Sequence, residues 1–426
     1  MRRFKIACRR FATPALIAAL AAVVQDVPAA SQAPAAATAF QNARVVVGDG
    51  RTIENATLVV SGGRIAAVGR SGEVQVPQGA ARVDLAGKTV IPALIDTHAH
   101  LSQTRDALVL DLQRRAYWGV GAVISLGQDD TDVPFQVRAE RIPNAARYLT
   151  AGRGITAPEP GRTQAPYWVT TEAEARKAVQ ELAARKVDLV KIWVDDRGGK
   201  YMKLAPALYT AVIDEAHRRG LRVTAHVFYL EDGKGLLRAG LDAFAHGIRD
   251  RDIDDEFVSL MKARPNVILV PNLPDRGVKT DLSWLSGSVP AAELQKLQAA
   301  ASTDRPEAQQ TFGIQARNLA RLAKVGVKIA AGTDGNTPWG MHLEMADMVA
   351  AGMTPAQVLV AATRNGAELL RLTDMGTIEA GKSADFVVLD ANPLEDITNT
   401  RRINAVYLRG AAVDRAALRA RWMGTN

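Results

Sequence analysis

Between residues 90 and 372, short apolar runs alternate with longer segments in which apolar residues recur at helical spacing. Strands and helices that alternate in this way build a parallel sheet through right-handed crossovers. Helices are predicted at residues 172–185 and 206–219. Strands are predicted at residues 90–95, 122–126, 147–151, 187–194, 222–227, 243–246, 267–270 and 328–332. Eight strands in this pattern predict an α/β fold, namely a closed (β/α)8 TIM barrel.

Two further β-rich segments bracket this region. Residues 43–47, 56–60 and 64–68 precede it as short β-like runs separated by glycine-containing turns, and residues 384–389 and 403–408 follow it. The first group is typical of a small antiparallel sheet.

The N-terminus has the layout of an export signal. Residues 1–33 carry five basic side chains, then the apolar stretch 15–24, then small residues around Ala33 that offer a cleavage site. The stretch is short for a membrane span, although an uncleaved anchor is the alternative. Residues 34–39 continue as an Ala/Pro-rich linker. We therefore expect a chain that is exported to the periplasm or the exterior, without stable membrane insertion after signal removal.

Composition excludes several classes of function. The formal charge is +8 for 426 residues and falls to +4 without residues 1–33, with basic residues scattered among acidic ones. Nucleic-acid binding therefore has no support. The single cysteine, Cys8, lies inside the predicted signal, so the mature chain has no disulfide and no thiolate nucleophile. With 47% hydrophobic residues, the rest of the chain is typical of a globular protein. A small-molecule substrate is expected as its partner, and homo-oligomerisation stays open.

Polar residues at the ends of the predicted strands are the candidate catalytic and metal-binding residues. In TIM barrels the active site lies where the strands end, and residues two apart in a strand point to the same side. His98 and His100 have that spacing. A buried lysine within residues 187–194 is costly unless its charge is paired or removed. The polar residues at or near predicted strand ends are His98, His100, Lys191, His226, His246 and Asp334. They are candidate metal ligands, and the alternative is that ordinary hydrogen bonds satisfy them.

This series resembles the amidohydrolase superfamily, in its prolidase-like and imidazolonepropionase-related branch. The likeness extends over nearly the whole chain after the signal. It implies a β-sandwich domain made from residues 40–88 and 373–426 beside a catalytic barrel at 89–372. The motifs that carry it are His98-x-His100, Asp188 to Ile192, Thr224-Ala225-His226, Ala245-His246-Gly247, Ala331 to Asp334 and Gly376 to Phe386.

The resemblance implies a centre of two divalent metal ions. His98, His100 and Asp334 would hold one ion, His226 and His246 the other, and an N-carboxylated Lys191 would bridge them. Zinc is expected, although such ligands also accept manganese, cobalt or nickel. Two cations would lower the pKa of a shared water molecule, so that hydroxide forms near neutral pH and can attack a carbonyl. Asp334 could accept the proton of this water and carry it to the leaving nitrogen.

The motifs indicate the type of reaction, and other positions bear on the substrate. Superfamily members that use one metal tend to place a Glu three residues after the fifth-strand histidine, where this chain has Tyr229. We expect a two-metal hydrolase of C–N amide bonds in dipeptides or N-acyl amino acids, with Tyr229 and Arg153 as substrate contacts. Each has a structural alternative, an interface tyrosine and an ion-paired arginine. Esterase, lactonase or phosphotriesterase activity and a non-catalytic metal-binding role are the other hypotheses.

Overall fold

A computed structural model of the protein describes residues 37–423, so the predicted export signal lies outside the described residues. The strands are β1 (Thr38–Val46), β2 (Thr52–Ser61), β3 (Arg64–Arg70), β4 (Ala81–Asp84), β5 (Thr89–Pro92), β6 (Leu94–Ala99), β7 (Val120–Ser125), β8 (Arg147–Thr150), β9 (Ile155–Thr156), β10 (Tyr167–Trp168), β11 (Val190–Val194), β12 (Val223–Val227), β13 (Ala243–Phe244), β14 (Ile268–Leu269), β15 (Lys328–Ile329), β16 (Phe386–Leu389), β17 (Ile403–Leu408) and β18 (Ala411–Ala412).

Helices fill the connections between the strands. They are α1 (Arg105–Tyr117), α2 (Val133–Ala139), α3 (Glu172–Ala184), α4 (Pro206–Arg218), α5 (Leu230–Ala239), α6 (Asp255–Lys262), α7 (Ala291–Ala300), α8 (Pro306–Lys324), α9 (Gly340–Ala350), α10 (Pro355–Val360), α11 (Gly366–Leu369) and α12 (Arg415–Met423). Two short 3-10 helices, Ser283–Leu285 and Ile397–Arg401, and a π-helical turn, Ala361–Asn365, complete the order.

Strands from both ends of the described chain form one mixed sheet. Its order is β18-β17-β16-β5-β1-β2-β3, with β4 paired to β1. The junction between the two ends is made by β5, which runs parallel to β1 and antiparallel to β16. The prediction that the two bracketing segments are β-structured is confirmed, and they share one sheet.

The region between them is an α/β unit of parallel strands. One sheet has the order β6-β7-β8 and the other β10-β9-β11-β12-β13-β14-β15. Backbone hydrogen bonds also connect the two sheets: the Asp188 amide, just before β11, donates to the Thr150 carbonyl of β8 (2.9 Å), and the Thr97 amide of β6 donates to the Ala331 carbonyl (3.1 Å). Apolar side chains from both sheets also share one buried cluster, including Ile95.

The first predicted strand is wrong in one respect. The run at residues 90–95 is not one strand, because Pro92 ends β5 in the terminal sheet and β6 begins at Leu94 in the parallel sheet. The β6 strand continues to Ala99, so His98 lies within a strand and not after it. Apolar continuity across Ala93 concealed this change of sheet.

Within residues 37–423, no helix is long and apolar enough to cross a membrane.

Candidate metal centre

Strand β6 delivers the two paired histidines to one point. His98 is fully buried and His100 directly follows the strand, with ring centroids 5.3 Å apart. The buried carboxylate of Asp96 accepts hydrogen bonds from the His98 amide (3.2 Å) and from the Thr333 amide (3.1 Å) and hydroxyl (2.9 Å). Asp96 thus ties the strand that carries the histidines to the segment that carries Asp334.

Asp334 is where the imidazoles converge. Its Oδ1 lies 3.0 Å from the Nε2 atoms of both His98 and His100, and its Oδ2 lies 3.5 Å from His246 Nε2. The backbone of Asp334 has φ of 51°, a left-handed conformation that is uncommon for a residue other than glycine and recurs at functional sites. The side chain is 35% exposed, so the carboxylate faces both the buried histidines and solvent.

His246 has ring nitrogens that the described residues leave without hydrogen bonds. Neither its Nδ1 nor its Nε2 has a hydrogen-bond partner in residues 37–423, although the residue is 3% exposed. Its ring lies 5.1 Å from that of His98 and 4.5 Å from that of His226, centroid to centroid. A buried polar atom without a partner is costly, so this arrangement calls for a ligand.

Lys191 lies at the base of the same cluster. It is fully buried in β11, and its Nζ lies 3.3 Å from His98 Nε2. In the described part of the chain no carboxylate oxygen lies within 4.0 Å of this ammonium. Burial lowers the pKa of Lys191 to about 7, although Asp334 opposes the shift. Its surroundings thus favour loss of the Nζ proton far more than those of an exposed lysine do.

His226 lies near the end of β12, and three charged side chains surround its Nε2 atom. Its Nε2 lies 2.9 Å from Asp195 Oδ2, 2.8 Å from Arg249 Nη2 and 3.1 Å from Arg197 Nη1. Asp195 also accepts from the Arg197 guanidinium (2.9 Å). Acceptance by Nε2 from the two guanidinium groups and donation by Nε2 to Asp195 are alternative tautomers of His226. Only the second leaves the Nδ1 lone pair free to bind a cation, which is how carboxylates orient metal-binding histidines.

These residues fit a divalent metal. Ligand atoms of His98, His246 and Asp334 all lie within 4.8 Å of one another. Burial lowers the pKa of His98 to about 4 and that of His246 well below its ordinary value, so both imidazoles are neutral near pH 7, as ligands must be. Burial alone would raise the pKa of Asp334, but the neighbouring imidazoles lower it below its ordinary value, which keeps it ionised. Neutral nitrogens around one carboxylate suit transition metals.

The two predicted substrate contacts have other partners in the structure. The Tyr229 hydroxyl donates to Asp196 Oδ1 (2.8 Å), and the side chain stays half-buried beside the cluster. The Arg153 guanidinium donates to the carbonyls of residues 164–166 and stacks 4.1 Å from the Tyr167 ring centroid. The Arg153 guanidinium is therefore engaged by backbone carbonyls and an aromatic ring, and substrate binding by either residue stays a prediction.

Several residues near the site were not predicted as part of it. Arg197 and Arg249 contact His226, and Asn272 Nδ2 lies 2.7 Å from His98 Nδ1. All three follow the carboxyl end of a parallel strand. Extending the strand-end rule beyond histidines and acids would have found them.

The comparisons agree with this geometry. Residues 89–413 match the model of the amidohydrolase family, so the chain belongs to that family. It is 30% identical over 345 residues to an uncharacterized protein of Mycobacterium tuberculosis, covering 76% of this chain and 85% of that one. It is 28% identical over 400 residues to the imidazolonepropionase of Deinococcus radiodurans, covering 86% and 94%.

A solved structure extends the likeness to the fold. A protein of Bifidobacterium longum assigned as a prolidase superposes with a TM-score of 0.74 at 27% identity, covering 91% of this chain and 98% of that one. Such neighbours imply a TIM barrel with a smaller domain. The predicted family is confirmed, and the protein is a metal-dependent hydrolase that acts on carbon–nitrogen bonds.

Proposed function

We propose that this protein hydrolyses the amide bond of dipeptides or N-acyl amino acids at a centre of two divalent metal ions, with zinc the expected metal. The observation that carries the proposal is the convergence of neutral imidazoles and Asp334 around His246, whose ring nitrogens lack hydrogen bonds in the described chain. The relatives support the substrate class, because the Bifidobacterium longum protein is assigned as a prolidase.

In this proposal the ligands form two groups. His98, His100 and Asp334 would hold one ion, and His226 with His246 would hold the other. Lys191 is buried without a carboxylate partner within 4.0 Å in residues 37–423, and after N-carboxylation it would supply oxygen ligands to both ions. Bound divalent ions supply Lewis-acid polarisation of a carbonyl and acidify a water molecule.

The protein's own residues supply positioning and proton transfer. Asp334 is ionised, partly exposed and held by neighbouring imidazoles, so its carboxylate can accept a proton from the attacking water and deliver it to the leaving nitrogen. Asp96 fixes the loop that carries Asp334 relative to β6. Asp195 orients His226. Imidazolone-ring hydrolysis is less favoured, since Tyr229 stands where one-metal members tend to have a Glu.

The proposal includes the whole architecture and its location. Eight parallel strands close into a (β/α)8 barrel, namely β6, β7, β8, β11, β12, β13, β14 and β15, and the hydrogen bonds between the two parallel sheets support this closure. The terminal strands form the β-sandwich domain, with boundaries at residues 40–88 and 373–426. Residues 1–33 direct export to the periplasm or the exterior.

Metal analysis combined with a substrate screen tests this function. We expect two divalent ions per chain, and cleavage of dipeptides or N-acyl amino acids in preference to lactones, esters and phosphotriesters. Cleavage of esters alone would overturn the amidase assignment, and a single ion would overturn the Lys191 bridge.

A Lys191→Ala variant and its control separate catalysis from mere metal binding. We expect K191A to lose metal and activity together. The matched control is Lys177→Ala, which removes an exposed lysine on α3 and should change neither. Biological activity that persists in K191A without metal would favour a non-catalytic role.

A further inference from the structure

A cleft of about 410 Å³ opens beside the loop that carries Asp334. Thr333 and Gly335, the residues on either side of Asp334, line one end of it. The segment after β14 and the helices α7 and α9 form its walls, which include apolar side chains such as Leu282, Leu297 and Leu343. Its volume is within the range of small-molecule sites, and its lining includes both sequence neighbours of Asp334.

Most charged groups that line this cleft are already paired. Arg276 Nε lies 2.8 Å from Asp347 Oδ1, and Arg305 pairs with Asp275. The buried Glu344 carboxyl accepts from the Leu273 amide (3.1 Å), and burial raises its pKa well above the ordinary value. Each arginine of these two pairs therefore already has a carboxylate partner, and burial favours the uncharged form of Glu344.

Arg401 is the exception among the lining residues. It ends the 3-10 helix Ile397–Arg401, and its guanidinium carbon lies 4.5 Å from the Trp284 ring centroid. Its Nε is buried without a hydrogen-bond partner in residues 37–423, and no carboxylate oxygen lies within 4.0 Å of the guanidinium there. The cleft therefore has an unpaired planar cation, and a carboxylate is the anion that such a fork binds bidentately.

We propose that this cleft holds the amino-acid portion of the substrate, with Arg401 binding its free carboxylate and the leucine-lined walls binding an apolar side chain. The inference rests on the proposed amide hydrolysis, and it deepens that function by assigning a specificity residue. The scissile amide would lie at the end lined by Thr333 and Gly335, beside Asp334. Arg401 contacts only the part of the substrate that does not react, so its loss should weaken binding and spare turnover.

Paired substrates test the assignment. We compare N-acetyl-L-phenylalanine with its carboxamide, following acetate release by wild type and by Arg401→Gln. For the acid, we expect KM to rise about 10- to 100-fold with kcat nearly unchanged, because a hydrogen-bonded charge is lost. The carboxamide should be unaffected, and Arg401→Lys should restore part of the affinity. An equal change for both substrates, or none, would overturn the proposal.

The neighbouring residue provides the control. Arg402 is exposed and adjacent in sequence, so Arg402→Gln removes the same charge without touching the cleft lining. We expect R402Q to match wild type with both substrates. A loss in R402Q equal to that in R401Q would assign the effect to general charge and overturn the site.

A binding assay separates this inference from the proposed reaction. The probes are 3-phenylpropanoate and 3-phenylpropanamide, titrated into the metal-loaded protein by calorimetry, with tryptophan fluorescence as a second signal because Trp284 contacts Arg401. We expect the acid to bind at least about tenfold more tightly than the amide in wild type and equally in R401Q. That result in a protein without amidase activity would reject the proposed function and keep the carboxylate site. Equal binding of the two probes by wild type would reject the site.

Discussion

His246 and His342 are both buried imidazoles, and their surroundings differ in one decisive respect. His342, in α9, is 2% exposed, and its nitrogens lie 3.1 Å from Thr400 Oγ1 and 3.0 Å from the Trp118 carbonyl oxygen. His246 is 3% exposed, and neither nitrogen has a hydrogen-bond partner in the described chain. Burial lowers the pKa of both. A shifted pKa therefore does not identify a site, whereas convergent unsatisfied atoms do.

The largest expected effect comes from replacing Asp334, whose carboxylate lies beside His98, His100 and His246. Asp334→Asn removes the proton acceptor and a charged ligand, so kcat should fall by about 10³-fold or more. Steady-state kinetics with metal analysis measures this. Asp106→Asn, which changes an exposed aspartate in the first turn of α1, is the control and should leave kcat unchanged. Activity of D334N within tenfold of wild type would remove Asp334 from the mechanism.

The second prediction tests whether His246 is a metal ligand. His246→Gln should lose at least one bound ion per chain, while the free energy of unfolding of the metal-free protein changes by less than about 1 kcal/mol, because no hydrogen bond is lost. Metal analysis and chemical denaturation measure the two quantities. The exposed His217 pairs with Asp242, and His217→Gln should keep the full metal content. Full metal content in H246Q would contradict the ligand assignment.

His342→Ala should show the reverse pattern. It leaves a cavity and removes two hydrogen bonds, so we expect a loss of about 2–4 kcal/mol in the free energy of unfolding with unchanged metal content. Denaturant titration and metal analysis measure both. Loss of metal at normal stability would mean that His342 belongs to the centre after all.

The smallest effect is the pH dependence of the same contact. The folded-state pKa of His342 is about 4, below the ordinary value of 6.5, so the unfolded chain binds the proton more readily. The contribution of the neutral His342 to the free energy of unfolding is fully present above about pH 6.5 and is lost as pH falls toward 4. Between pH 7 and 5 the loss from this residue is about 2 kcal/mol. His342→Gln should have a stability profile shallower by that amount, and identical slopes would contradict the assignment.

Much of the fold could be predicted from sequence because strand and helix periodicities are local. The helices predicted at residues 172–185 and 206–219 correspond to α3 and α4 within one residue. The division at Ala93 between β5 and β6 could not be predicted, since an apolar run has the same pattern in either sheet.

The sequence by itself determined which residue types follow the strands, and so the chemistry of His98, His100 and Asp334. Only the tertiary structure decided which atoms meet. It brought three imidazoles to one carboxylate, engaged Arg153 with backbone carbonyls, and placed Arg401 near a cleft whose other walls come from residues 273–347. Local patterns encode periodicity and residue chemistry, whereas partners distant in sequence are selected by packing.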